Sequence, residues 1–182
     1  MKTLAYTLGF ALIIATAADA TAQFPTASKE HQILKMEEGV WDAEITMYMG
    51  PAGAYNPPQK SKGKESNRMI GDFWLISDFE GSFEGMAFKG HGQFGFDPAK
   101  KKYTGTWVDS FSSNTTKMSG TYDADKKTMT YETTGVEMDG SPSKGRNVVV
   151  YGDKKRVMTM YSAAPDSGEM IKVMEITYTK TK

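Results

Sequence analysis

Trp41-Asp42-Ala43-Glu44-Ile45-Thr46-Met47-Tyr48-Met49 is the stretch that decides the fold. Trp41, Ala43, Ile45, Met47 and Met49 alternate with Asp42, Glu44, Thr46 and Tyr48, so one face is apolar and the other polar. Successive side chains of a strand point to opposite faces, and this period of two marks a half-buried strand. Upstream, Ser28 suits an N-cap, and Ile33, Leu34 and Met36-Glu37 give a one-sided apolar pattern that Gly39 ends. The result is one helix of about ten residues, short enough to depend on packing against something larger. Downstream, the loop Gly50–Lys64 is expected from its Gly, Pro and Lys content. Strand-like runs then recur at Glu65–Ile70, Phe73–Phe83, Met86–Phe96, Lys102–Phe111, Thr115–Tyr122, Thr128–Thr134, Arg146–Tyr151, Arg156–Ala163 and Met170–Thr179.

Between the runs lie Asp97-Pro98-Ala99-Lys100, Asp123-Ala124-Asp125-Lys126, Gly140-Ser141-Pro142 and Gly152-Asp153-Lys154, all suited to tight reversals. No crossover helix joins any two strands, which excludes a parallel sheet. A meander with almost every link a tight turn favours closure, because closure removes unpaired edges; a Greek-key sandwich needs more long connections than Gly50–Lys64 and Val136–Gly145. The expected fold is all-β: a single antiparallel up-and-down barrel of about 8–10 strands with one short N-terminal helix.

The chain has 182 residues, enough for one domain. Twenty-two Lys and Arg balance twenty-two Asp and Glu, and no dense basic run exists to track a phosphate backbone, so a nucleic-acid partner is not expected. The absence of Cys removes disulfides, thiolate metal sites and a cysteine nucleophile. At the start, Lys2 precedes an almost wholly apolar or small run, Leu4–Ala18, and A-x-A patterns at Ala18-Asp19-Ala20 and Ala20-Thr21-Ala22. This is the layout of a secretory signal peptide, with a mature domain from Gln23 to Lys182 and a periplasmic or secreted location. The run is short for a membrane span, and no second long apolar stretch follows.

Gly39-Val40-Trp41, at the junction of helix and first strand, resembles the G-x-W signature of lipocalins, whose Trp plugs the closed end of the barrel. The chain from about residue 28 to 180 is similar to the bacterial family called domain of unknown function 1579. Besides Glu30-His31-Gln32 and Gly39-Val40-Trp41, the resemblance rests on Gly71-Asp72-Phe73-Trp74-Leu75, Gly85-Met86-Ala87-Phe88-Lys89-Gly90 and Gly95-Phe96-Asp97-Pro98. Its most specific part is Lys102-Tyr103-Thr104-Gly105-Thr106-Trp107-Val108-Asp109-Ser110 with the preceding Gly-Phe-Asp turn. The family more often carries Tyr where this chain has Phe96. The resemblance implies a lipocalin-like barrel and no known activity, cofactor or catalytic residue.

Gly90-His91-Gly92-Gln93-Phe94-Gly95 spells G-x-G-x-x-G, but Phe88, Phe94 and Phe96 carry a strand straight through it. A dinucleotide site needs a helix to begin there, so these glycines are expected to bend the sheet or lie under aromatic rings. His31 and His91 are the only histidines, too few for a catalytic zinc, and no metal or cofactor is expected. His91 alternates with Lys89 and Gln93 on the polar face of its strand; only if that face lined the lumen could it ligate a haem iron. Tyr103, Gly105, Trp107, Asp109 and Phe111 share an aromatic face, which turns Asp109 inward or to the rim as a ligand anchor, a salt-bridge partner for Arg146 or Arg68, or a turn cap. Trp74, Ile76, Asp78 and Glu80 share another face. The strand methionines, among them Met118, Met158, Met160 and Met174, suit an adaptable apolar pocket or a filled core.

These features point to an exported, non-enzymatic carrier or sensor for a small apolar or amphipathic molecule. Trp41, Trp74, Tyr103 and Trp107 would line or close its cavity, with Asp109, Arg146 and His91 as polar contacts. The alternatives are a hydrolase or isomerase using Asp109 with Glu80 or His91, and a filled barrel acting through its outer surface.

Overall fold

The computed structural model describes residues 25–50, 53–137 and 140–181. The expected signal peptide, residues 1–22, lies outside the described residues. One helix, α1 (Lys29–Lys35), precedes ten strands: β1 (Gly39–Gly50), β2 (Gly53–Ile70), β3 (Trp74–Phe83), β4 (Met86–Asp97), β5 (Lys102–Asp109), β6 (Thr116–Asp123), β7 (Thr128–Val136), β8 (Pro142–Tyr151), β9 (Lys155–Ala163) and β10 (Met170–Lys180). Each strand runs antiparallel to the next in sequence, and β1 meets β10 to close the ring. Ile45, for example, stands opposite Ile176 of β10 and Ser61 of β2.

The region expected as a loop from Gly50 to Lys64 is instead mostly strand, because Gln59–Lys64 pair residue for residue with β1. Its periodicity is hidden by small and polar side chains. Lys60, Lys62 and Lys64 face outward, and Ser61, Gly63 and Glu65 face the interior with little apolar contrast. Pro57 and Pro58 fall where the ladder to β1 breaks between Met47 and Met49, so no ladder donor is lost there.

The tight turns follow their Asp residues. Asp97 Oδ1 accepts hydrogen bonds from the backbone N of Ala99 (3.0 Å) and Lys100 (3.1 Å). Asp123 Oδ1 does the same for Asp125 and Lys126, both at 3.1 Å. Lys101 and Lys127 then complete the two reversals with positive φ, 52° and 48°.

Alternation assigns one face of every strand to the interior, where two apolar clusters form. One joins Leu34 of α1 to Leu75, Tyr103, Met129, Tyr131, Val149 and Tyr151. The other runs along the β1 wall through Trp41, Ala43, Ile45 and Met47 to Phe79, Ile176 and Tyr178. α1 lies at the end of the barrel where β1 begins. It is held there by Tyr103 Oη donating to the Glu30 carbonyl at 3.1 Å and by the His31 ring edge-on to Phe73 and Phe96. The Nδ1 of His31 accepts from the Ser28 backbone N at 3.0 Å, which ties down the first turn. This end is sealed. Toward the opposite end the inward-facing Phe83, Phe88, Trp107, Met160, Ser162 and Met174 are only half-buried.

Candidate functional site

The sealed end is built on a buried ionic cluster. Arg156, at the start of β9 and 4% exposed, donates from Nη1 to Glu37, just beyond α1, and from Nη2 to Glu65 of β2. Its guanidinium lies over the rings of Trp41 (4.7 Å) and Tyr178 (4.1 Å). Glu37 also accepts from Tyr151 Oη, and its backbone carbonyl accepts from Trp41 Nε1 at 2.8 Å and Asn67 Nδ2 at 3.0 Å. Asn67 Nδ2 additionally meets Glu65 Oε1 at 2.5 Å. The helix, the first strand and the far wall are thus fastened at one point.

Two carboxylates share one guanidinium, so this cluster carries excess negative charge. Burial pushes Glu37 above the ordinary glutamate value, the Arg156 charge opposes that, and the Glu65 charge reinforces it. Burial by itself would lower the Arg156 pKa, but Glu37 and Glu65 together outweigh it and hold it above the usual arginine value. Burial also raises the neighbouring Tyr131, Tyr151 and Tyr178 well above an ordinary phenol. Asn67 Oδ1 and Arg156 Nε are enclosed without a partner among the described residues.

None of Glu37, Glu65 and Arg156 is among the residues singled out from the sequence. A signal for two of them was present. Arg156 is in phase with Met158 and Met160, and Glu65 with Asn67 and Met69, so each strand puts a charge on its apolar face, with opposite signs.

The seven expected site residues separate into three groups. Trp41 and Tyr103 face inward at the sealed end, each engaged in a hydrogen bond to the helix segment. Burial, with the Glu30 charge adding to it, pushes the Tyr103 hydroxyl up to about 12. Trp107 and Asp109 face inward near the other end. Asp109 Oδ2 accepts from Trp107 Nε1 at 3.1 Å and Oδ1 from the Phe111 backbone N at 2.9 Å, so this carboxylate positions the tryptophan and caps the turn.

Trp74, His91 and Arg146 stand on the outer surface, contrary to a role in the lumen. Leu75, Ser77 and Phe79 are the inward set of β3, which leaves Trp74 outside, 46% exposed, with its ring against Gly95. Asn147 and Val149 are the inward set of β8, and Arg146 Nε donates instead to Glu132 Oε1 across the outer face of β7 (2.8 Å). His91 Nδ1 meets Asp78 Oδ1 at 2.6 Å on the outer face of β3, which removes the geometry a lumen haem ligand requires.

The glycines of the G-x-G-x-x-G segment lie within β4. A Cβ on Gly90 would come within 2.0 Å of the Trp107 ring, so the glycine serves the packing of that indole. Clefts open on the barrel among the described residues. One of about 690 Å³ lies beside α1, between Ile33, Phe96, Tyr103 and Tyr122, with Lys29 and Lys101 at its edge. Another, of about 310 Å³, is bordered by Asp78, Glu80, Lys89, His91, Asp109 and Ser110. The latter collects the residues of the hydrolytic alternative, but Glu80 is paired with Lys89 (3.1 Å) and Asp109 with Trp107. Among the described residues no group of three or more His, Asp or Glu is placed to hold a metal, and no helix is long and apolar enough to cross a membrane.

The sequence pattern of DUF1579, a family described as protein of unknown function, matches residues 26–180. The chain belongs to the DUF1579 family. No curated protein matches it. Among solved structures, Rv2717c from M. tuberculosis is similar over 86% of this chain and 100% of its own, with a TM-score of 0.62 at 10% identity. The S-type phycobiliprotein lyase CPES from Guillardia theta is similar over 84% and 93%, with a TM-score of 0.54, also at 10% identity. At such identities the likeness is one of fold. The DUF1579 chain thus shares its closed barrel with proteins of very different sequence. In it, Trp41 of the Gly39-Val40-Trp41 signature plugs the sealed end beneath Arg156.

Proposed function

We propose that this DUF1579 protein is an exported, non-enzymatic carrier or sensor that holds a small, largely apolar molecule inside the barrel. One observation carries the reading. Met158 points inward at mid-barrel and packs against both apolar clusters, yet it is only half-buried. Its incomplete burial between the two clusters supports space in the lumen for a guest. Met118, Met160 and Met174 border the same interior, and their flexible thioethers adapt to a guest's shape. The likeness in fold to a phycobiliprotein lyase agrees with a barrel that handles small molecules. Export rests on the Lys2 and Leu4–Ala18 segment with its small-residue cleavage pattern.

Native mass spectrometry of the protein purified from its own host tests both parts. The expected species begins at Gln23 and carries the added mass of a small molecule. Trp107 is the inward, half-buried indole, so its emission shifts on binding, whereas Trp41 is sealed in and Trp74 lies outside. Recovery of the bare polypeptide, with fluorescence indifferent to fatty acids, haem and hydrophobic dyes, overturns the proposal.

A further inference from the structure

We propose that the lumen selects a neutral guest, an apolar body bearing one carboxamide or ketone carbonyl, through the side chains of Asn147 and Ser77. This rests on the carrier reading and gives it a chemical class. Asn147 lies on β8 between the inward-facing Gly145 and Val149, beside Tyr131 of β7 and Met160 of β9. It is 6% exposed, and its carboxamide has no hydrogen-bond partner among the described residues. The amide is not walled in, however: unlike Asn67 Oδ1 and Arg156 Nε, its polar atoms are not sealed off from open space. Asn147 faces the interior, so that space is the lumen.

Ser77 repeats the pattern on β3. It faces inward between Leu75 and Phe79, is 4% exposed, and has no side-chain partner among the described residues. In a ring of ten strands β3 and β8 are five places apart, so the two walls face one another across the lumen. Buried polar groups are nearly always paired, and two unpaired ones bordering the same hollow interior are set for a partner that is not part of the chain.

The charge of the interior decides the kind of partner. Glu37 and Glu65 are matched at the sealed end by Arg156 and by Lys180 over Trp41, and Asp109 adds a carboxylate near the other end. An anionic head that reaches Asn147 finds no cation beside it, because both carboxylates already engage Arg156 and Lys180 lies over Trp41. A carboxamide or ketone pays no such penalty, and the Asn147 amide can donate to its carbonyl while accepting from an N–H. Met118, Met158 and Phe94 leave apolar surface for the rest of the guest.

The test uses three probes of equal chain length: decanamide, decanoate and decyltrimethylammonium. Each is titrated into the full mature protein and into Asn147→Leu, Asn147→Asp and Ser77→Ala, following Trp107 emission and calorimetric heat. The expected result is that decanamide binds about tenfold more tightly than decanoate, and that Asn147→Leu removes about that factor for decanamide alone. The same substitution leaves the melting temperature unchanged or higher, because it replaces an unpaired amide by an apolar side chain. Equal loss for all three probes, or no loss for decanamide, overturns the selection by Asn147 while the carrier reading stands. Failure of all three to bind overturns both.

Discussion

The two ends of the barrel solve opposite problems. At the helix end Leu34, Leu75, Tyr103 and Tyr151 fill the interior, and a guanidinium, two carboxylates and an asparagine tie three distant segments together. At the other end inward-facing Phe88, Trp107, Met160 and Met174 keep part of their surface open. A closed ring needs no packed centre to satisfy its backbone, because each strand has two neighbours. Stability concentrated at one end therefore does not require the other to be packed as tightly.

Breaking the sealed end gives the largest effect. Arg156→Met leaves Glu37 and Glu65 buried against each other without a counter-charge, and removal of one partner from such a cluster costs about 3–5 kcal/mol. Chemical denaturation should show that loss as a lower midpoint with an unchanged slope. The triple change Glu37→Gln, Glu65→Leu, Arg156→Met should recover most of it, since no unpaired charge remains. If the single variant is as stable as the parent, the ionic cluster does not hold this end.

Glycine-to-alanine changes sharpen the contrast. A Cβ on Gly120 would lie 2.4 Å from the Thr130 carbonyl oxygen, a backbone atom in the paired strand that cannot step aside. A Cβ on Gly90 would strike the Trp107 ring, a half-buried side chain rather than backbone, which can give way. Gly120→Ala is expected to cost about 1–3 kcal/mol, the usual range for overpacking, and Gly90→Ala less. Gly90→Ala should instead shift tryptophan emission and weaken guest binding. Equal melting temperatures for the two variants would remove the distinction between a tightly and a loosely packed end.

The sealed end also responds to pH. Glu37 has its folded pKa raised above 4.5 by burial, so the folded state holds this proton more tightly than the unfolded chain. The associated stability is fully present below 4.5 and is lost as pH rises through the raised value. Asp72, Asp97 and Asp123, lowered by their hydrogen bonds, act in the opposite sense, but they are exposed and remain in any Glu37 variant. The difference in melting temperature between Glu37→Gln and the parent should therefore increase from pH 4 to pH 8. A difference that is constant with pH would mean that Glu37 keeps an ordinary pKa.

Strand number and turn chemistry were legible because they are local, and closure because a meander of tight turns leaves two edges that only closure removes. Asp97 and Asp123 announce their turns, and the alternation from Trp41 to Met47 announces its strand. The glycines beneath Trp107 were readable too, since Phe88, Phe94 and Phe96 already excluded a helix there. The buried cluster was not legible as a unit, because Glu37, Glu65 and Arg156 lie on three segments that only ring closure brings together. β2 was half missed for a different reason: Ser61, Gly63 and Glu65 face inward without an apolar signal. The error at Arg146 was one of parity. Asn147 and Val149 hold the inward positions of β8, and one step along a strand exchanges inside for outside.

That parity supplies the smallest expected effect. Arg146 and Glu132 stand opposite each other on the outer wall, each roughly half exposed, and meet at 2.8 Å. Exposed pairs of this kind contribute at most about 1 kcal/mol, because solvent screens the attraction and two long side chains lose freedom to make it. Arg146→Ala should therefore move the denaturation midpoint only slightly and leave the affinity for every guest unchanged. Asn147→Leu, one residue further on, should do the reverse and change guest affinity without lowering stability. Two adjacent substitutions with opposite consequences are what a hollow cylinder requires. Loss of guest binding in Arg146→Ala would mean that the wall of β8 is turned the other way.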